Sequence, residues 1–186
     1  YVGFDSFIYT LEDSAGNSDT AIVSFTINSP PIDYSVVESE EFLINSYISG
    51  NQTISAITAL ADGGFLATWN SIGQDGSGYG AYGQRYHADG ATNGAEFQVN
   101  SNTNGNQFSN SVTALSDGGF LIVSSGDGQN GNGNDVYGQR YHADGLVNGA
   151  EFQVNSYIND WQSSGSVTTL SDGGFFIEER FDTRTF

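Results

Sequence analysis

The chain contains no cysteine, no methionine and no lysine, only two prolines, and four basic residues, all arginine (Arg85, Arg140, Arg180 and Arg184). Without cysteine there is no disulfide, no zinc finger, no iron–sulfur cluster and no thiol nucleophile. With so few cations among 22 acidic residues, and a formal net charge of -18, the chain cannot neutralise phosphate. Nucleic acid and anionic membranes are therefore excluded as partners. No apolar run approaches the ~20 residues of a membrane-spanning helix, so direct membrane insertion is not expected. A sequence that lacks methionine is expected to be a processed piece of something longer. What is abundant is glycine, 25 of 186 residues, together with an aromatic fraction of 13%, too high for a disordered acidic tail. The composition reads as a folded, acidic, glycine-rich all-β protein whose self-repulsion is relieved by salt or divalent cations.

Internal repetition dominates what remains. Glu41-Phe42-Leu43-Ile44-Asn45-Ser46 returns as Glu96 to Ser101 and again as Glu151 to Ser156, 55 residues apart each time. Asp62-Gly63-Gly64-Phe65 returns at Asp117 and at Asp172 with the same spacing. Residues 82–101 and 137–156 are identical at 18 of 20 positions. Each unit reads as about four short strands: Glu41–Asn45, Ile54–Leu60, Gly64–Asn70 and Ala81–His87. Asp62-Gly63 supplies a tight turn and Ala88-Asp89-Gly90 a second. Four strands per unit is the grain of a propeller blade, and a single such sheet must stack on neighbours to bury both faces. The expected architecture is a partial β-propeller-like array: repeats at 41–95 and 96–150, and a truncated one at 151–186. The third unit diverges at Glu178-Glu179-Arg180.

Residues 1–29 lie outside the repeat. Asp5–Leu11 and Asp19–Asn28 read as two strands around a turn-rich segment, ended by Pro30-Pro31, with 30–40 as a linker. Asp5-Ser6-Phe7-x-Tyr9-Thr10-x-x-Asp13-Ser14-Ala15-Gly16-Asn17, followed by Asp19-Thr20-Ala21, resembles the closing hairpin of bacterial cadherin-like and Ig-like domains. The 55-residue unit, through Asp62-Gly63-Gly64-Phe65, Gly73-Gln74-Asp75-Gly76 and Tyr82-Gly83-Gln84-Arg85-Tyr86, resembles repeats of very large bacterial surface proteins, including RTX-type adhesins. The resemblance implies a secreted, calcium-rich setting at the bacterial cell surface, further repeats in the same parent chain, and no enzyme activity. The RTX glycine-rich nonapeptide is matched only in part, by Gly131-Asn132-Gly133-Asn134-Asp135-Val136.

The residues offer one class of candidate site. Calcium takes six to eight oxygens from carboxylates, amides and backbone carbonyls, and glycines let a backbone curl so that its carbonyls converge. In the loop 126–135, Asp127, Asn130, Asn132, Asn134 and Asp135 carry suitable oxygens, and Asp75 occupies the matching loop of the first unit. Two readings stand side by side: a Ca2+ site, or a solvated connection between strands. Asp62, Asp117 and Asp172 read as turn residues. His87 and His142 are repeat-equivalent and have no repeated nucleophile beside them, so packing or hydrogen bonding is expected rather than catalysis. Arg85 and Arg140 are expected to pair with Glu96 or Glu151. Tyr82, Tyr86 and Phe65 read as core. Trp69 and Trp161 either pack locally or, if exposed, stack on sugar rings. Adjacent carboxylates such as Glu40-Glu41 face opposite sides of a strand and do not form an acid–base pair.

The expected function is therefore non-enzymatic: a calcium-stabilised extracellular repeat protein acting in adhesion or as a spacer, with a cell-surface protein or glycan as partner. The alternative is a carbohydrate-binding module of a secreted hydrolase.

Overall fold

The structure is a computed structural model that describes residues 3–12, 18–27, 42–127, 133–157 and 161–182. The chain divides into two compact units, residues 1–41 and 42–186. In the first, β1 (Gly3–Glu12) and β2 (Ser18–Ile27) pair antiparallel without a break in register from Gly3↔Ile27 to Glu12↔Ser18.

The second unit is built wholly from antiparallel sheets among its described residues. Sheet 1 is a meander of β3 (Gln52–Ala59), β4 (Phe65–Ile72), β5 (Tyr79–Tyr86) and β6 (Phe97–Gln98). Sheet 2 repeats it with β7 (Gln107–Ala114), β8 (Phe120–Asp127), β9 (Asn134–Tyr141) and β10 (Phe152–Gln153). Sheet 3 contains β11 (Trp161–Thr169) and β12 (Phe175–Asp182). The first strand of every sheet slips register at the same repeat position, between Ile54/Ala56, Ser109/Ser111 and Ser164/Ser166. Such a bulge increases local twist.

The sheets are offset from the repeat frame read in the sequence. Phe97-Gln98 does not open the second sheet. It closes the first, through Gly83↔Phe97 and Tyr82↔Gln98, and Phe152-Gln153 likewise closes the second on β9. A glycine stands opposite each phenylalanine because the ring occupies the side-chain space: a Cβ on Gly83 would lie 2.8 Å from the Phe97 ring.

Sheet 2 buries both of its faces against its neighbours, as the continuous apolar run of β8 requires. Leu60, Leu66, Ala81 and Val99, of sheet 1 and its connections, pack with Phe120, Ile122 and Tyr141 of sheet 2. The opposite face of sheet 2 (Leu115, Leu121, Val123 and Val136) packs on Val167, Phe175 and Ile177 of sheet 3. The front of sheet 1 carries Ala67, Trp69, Tyr82 and Tyr86, covered in part by Ile44. The stacked ring pairs Phe65–Tyr86 and Phe120–Tyr141, at 4.9 and 4.8 Å, reproduce one contact in both units.

Candidate functional site

A concavity lies where the outer edge of sheet 1 meets the outer half of sheet 2. β6 pairs with β5 over two residues only, and the chain then peels away through Val99, Asn100 and Ser101. Between that segment and β9 lies a cleft of about 540 Å³, lined among others by Gln98, Asn100, Ser101, Tyr137, Gln139 and Glu151.

Its walls are held by repeated amide side chains. Asn100 Oδ1 accepts from the Ala81 N–H at 2.8 Å, while its Nδ2 donates to Asn102 O and to Gln107 Oε1. Asn155 does the same one unit later, accepting from Val136 N–H and donating to Tyr157 O. Gln139 Nε2 donates to the carbonyls of Arg140 and Gly149, as Gln84 does to those of Arg85 and Gly94. Glu151 accepts a short hydrogen bond from Ser101 Oγ, which ties the two walls together. Tyr137 O–H donates to Asp135. At the floor, burial and then the Glu151 charge raise the Tyr141 hydroxyl above its ordinary range, so the phenol stays neutral. Among the described residues, the cleft thus combines two tyrosine rings, several planar amides and one carboxylate. This is the mix that fixes the orientation of a neutral polyol.

The metal candidates are placed as follows. Asp75 lies in the 73–78 loop, where Oδ1 accepts from Ser77 N–H and Oδ2 from Gln98 Nε2. Asp135 is fully buried and accepts from Asn155 Nδ2 at 2.8 Å, which commits it to the buried polar contacts at the start of β9. Asp127 and Asn134 form the last register pair of the β8–β9 hairpin. Asp127 accepts from Asn106 N–H, and Asn134 Oδ1 is buried with no hydrogen-bond donor among the described residues. Asn130 and Asn132 lie outside the described residues. Among the described residues, no three His, Asp or Glu side chains gather as a metal-holding group; Asp75 and Asp127 belong to different sheets.

Other expectations shift. Arg85 and Arg140 pair with the turn carboxylates Asp62 and Asp117, at 3.2 and 3.4 Å, rather than with Glu96 or Glu151. The β4–β5 register sets Leu66 opposite Arg85, with the Asp62 turn just beyond the strand end, so the guanidinium reaches the turn first. Trp69 is buried in the front cluster of sheet 1, which excludes it as a sugar platform, while Trp161 is half-exposed on β11. His87 and His142 are exposed just beyond strand ends. The cleft itself was not singled out from sequence. Its signal was there in the strict repetition of two buried polar positions, Gln84/Gln139 on the third strands and Asn100/Asn155 just beyond the fourth.

Neither a protein-family model nor a curated protein sequence matches the chain. Among solved structures, the chain is similar to an endo-arabinase from Bacteroides thetaiotaomicron, with a TM-score of 0.47 and 13% identity over 95% of this chain. The chain spans 66% of that structure's length.

Proposed function

We propose that the chain is a non-enzymatic, extracellular repeat module that binds neutral glycan in the clefts between successive sheets, the sheets being blades of a propeller-like array. The observation that carries this reading is the cleft lined by Gln98, Asn100, Tyr137, Gln139 and Glu151. A sugar ring offers an apolar C–H face to an aromatic ring and hydroxyls to planar amides and a carboxylate. Among the described residues the cleft contains one carboxylate, Glu151, whereas glycoside hydrolysis by the common route needs two, so binding without turnover is the reading we favour. An adhesive role follows directly if the glycan belongs to a cell surface.

The test is a glycan array followed by titration calorimetry on any glycan retained. Gln98→Ala and Glu151→Gln should each weaken binding about tenfold or more, equivalent to ~1.4 kcal/mol, with the far-UV circular dichroism of the free protein unchanged. No retained glycan, or binding indifferent to both substitutions, would overturn the reading.

A second proposal concerns calcium at the β8–β9 hairpin, favoured by the orphaned Asn134 Oδ1 opposite Asp127. Cross-strand partners share a face, so the two side chains stand on one face at the end of β8 and the start of β9. A weak extracellular-type site would raise stability by about 1–3 kcal/mol at saturating calcium. The melting temperature should rise with calcium, fall back with chelator, and lose this response in Asn134→Ala. An unchanged melting temperature across the titration would remove the proposal.

A further inference from the structure

Three segments of this chain share one sequence, Glu-Phe-x-(Ile/Val)-Asn-Ser, and among the described residues two of them are paired as strands. Phe97-Gln98 closes sheet 1 and Phe152-Gln153 closes sheet 2. The segment Phe42–Asn45 has no strand partner among the described residues.

It is nevertheless seated as its two relatives are. Phe42 packs on Tyr86 at 5.6 Å, as Phe97 packs on Tyr141 at 5.1 Å. The Tyr86 hydroxyl donates a short hydrogen bond to the Ile44 carbonyl. Ser46 donates to Glu96 through N–H and Oγ, in the place of the Ser101–Glu151 contact. Asn45 Nδ2 donates to Tyr47 O, matching Asn100 on Asn102 and Asn155 on Tyr157.

What is missing is the partner side of each interaction. Val99 N–H and Val154 N–H donate to the carbonyls of Ala81 and Val136, and those residues' N–H groups return to Asn100 and Asn155 Oδ1. Ile44 N–H and Asn45 Oδ1 have no counterpart among the described residues. Phe42 and Leu43 are 46% and 77% exposed. On the same front of sheet 1, Ile57 is 61% exposed, whereas its repeat equivalents Val112 and Val167 pack against the preceding sheet.

We propose that Phe42–Asn45 is a ready-made outer strand that receives a further sheet of this same repeat type. That sheet stacks on the front of sheet 1 over Ile57. Its exposed third strand carries apolar-Tyr-Gly, as Ala81-Tyr82-Gly83 and Val136-Tyr137-Gly138 do. The glycine takes the Phe42 ring, and the tyrosine stands opposite Leu43. The apolar residue exchanges backbone bonds with Ile44 N–H and Asn45 Oδ1. Recognition by strand addition supplies the affinity through main-chain bonds, and the glycine pocket supplies the specificity.

The experiment reads hydrogen exchange at the Ile44 amide by NMR under two probes. In the first, the intact chain meets a synthetic peptide with the sequence of residues 134–142. In the second, residues 183–186 are replaced by a copy of residues 128–150, which gives sheet 3 a third strand and no fourth. Ile44 exchange should slow at least tenfold in one or both. The slowing should vanish with Asn45→Ala in the chain and with Gly138→Val in the peptide or the grafted copy. If neither probe slows Ile44, or if the slowing survives both substitutions, the proposal is overturned.

Discussion

The three Asp-Gly-Gly triplets show how much one turn asks of single residues. The aspartate side chain accepts from the N–H two residues on, at 3.0 Å in Asp62 and Asp117 and 2.9 Å in Asp172. The first glycine has a positive φ, +85° at Gly63 and +84° at Gly118, a region costly to other L-residues. The second lies against the third strand, where a Cβ on Gly64 or Gly119 would collide with the carbonyl of Tyr86 or Tyr141. Turn chemistry was legible in the sequence for the first two positions, but the reason for the second glycine was not. It depends on a strand some 20 residues away. Tyr82 carries a pH dependence at this scale. Burial, then Asp75, Glu96 and Tyr47, push its hydroxyl up to about 12. The unfolded chain releases that proton near 10, so the stabilising contribution is complete below pH 10 and is lost as pH rises towards 12. The melting temperature should therefore drop over that window, and Tyr82→Phe should flatten the drop. An equal drop in the variant would show that other groups carry it.

At the scale of elements, the recurrent device is an asparagine just beyond the fourth strand. Asn100 and Asn155 cap the short β6 and β10 by accepting from the third strand and donating onward to the next unit's connecting segment. Two-residue strands are marginal alone, and this side chain extends them. Asn100→Ala leaves the buried Ala81 N–H unpaired at a cost of about 1–3 kcal/mol. Urea unfolding should show that loss, with Asn102→Ala as the milder control, because its carbonyl is kept and the side-chain bond it loses, from Asn104 N–H, is exposed. The sequence displayed these asparagines by exact repetition and displayed the strands by alternation. It did not display register. Glu41–Asn45 looked like the first strand of a unit because the copies begin there. Pairing assigns the equivalent segments to the end of the preceding sheet, and only the Gly83–Phe97 and Gly138–Phe152 fit makes that choice. The bulges at 55, 110 and 165 were equally hidden, since a register slip leaves no residue type that marks it.

At the scale of the sheet-forming unit, the repeat explains both the fold and the site. A sheet with apolar residues on both faces has to be covered twice, and sheet 2 is, by clusters that use matching positions against sheets 1 and 3. Clefts follow from the same geometry, because twisted sheets in contact at their centres splay at their outer strands. The all-β class and the stacking were readable from periodicity. The cleft was not, because its walls come from residues some 40 positions apart whose meeting depends on register and twist. Charge belongs to this scale too. With a net charge of -18, the long-range field repels acidic ligands, so neutral glycans should bind and uronic-acid polymers should not.

The most direct measurement is the position of a bound glycan. Backbone and side-chain NMR shifts should be followed while a glycan retained on the array is titrated into the isotope-labelled protein. Binding in the cleft predicts saturable perturbations centred on Gln98, Asn100, Tyr137 and Glu151, with Trp161 and the Asp127–Asn134 pair unmoved. Saturable perturbations centred on Trp161 and sparing the cleft would contradict it.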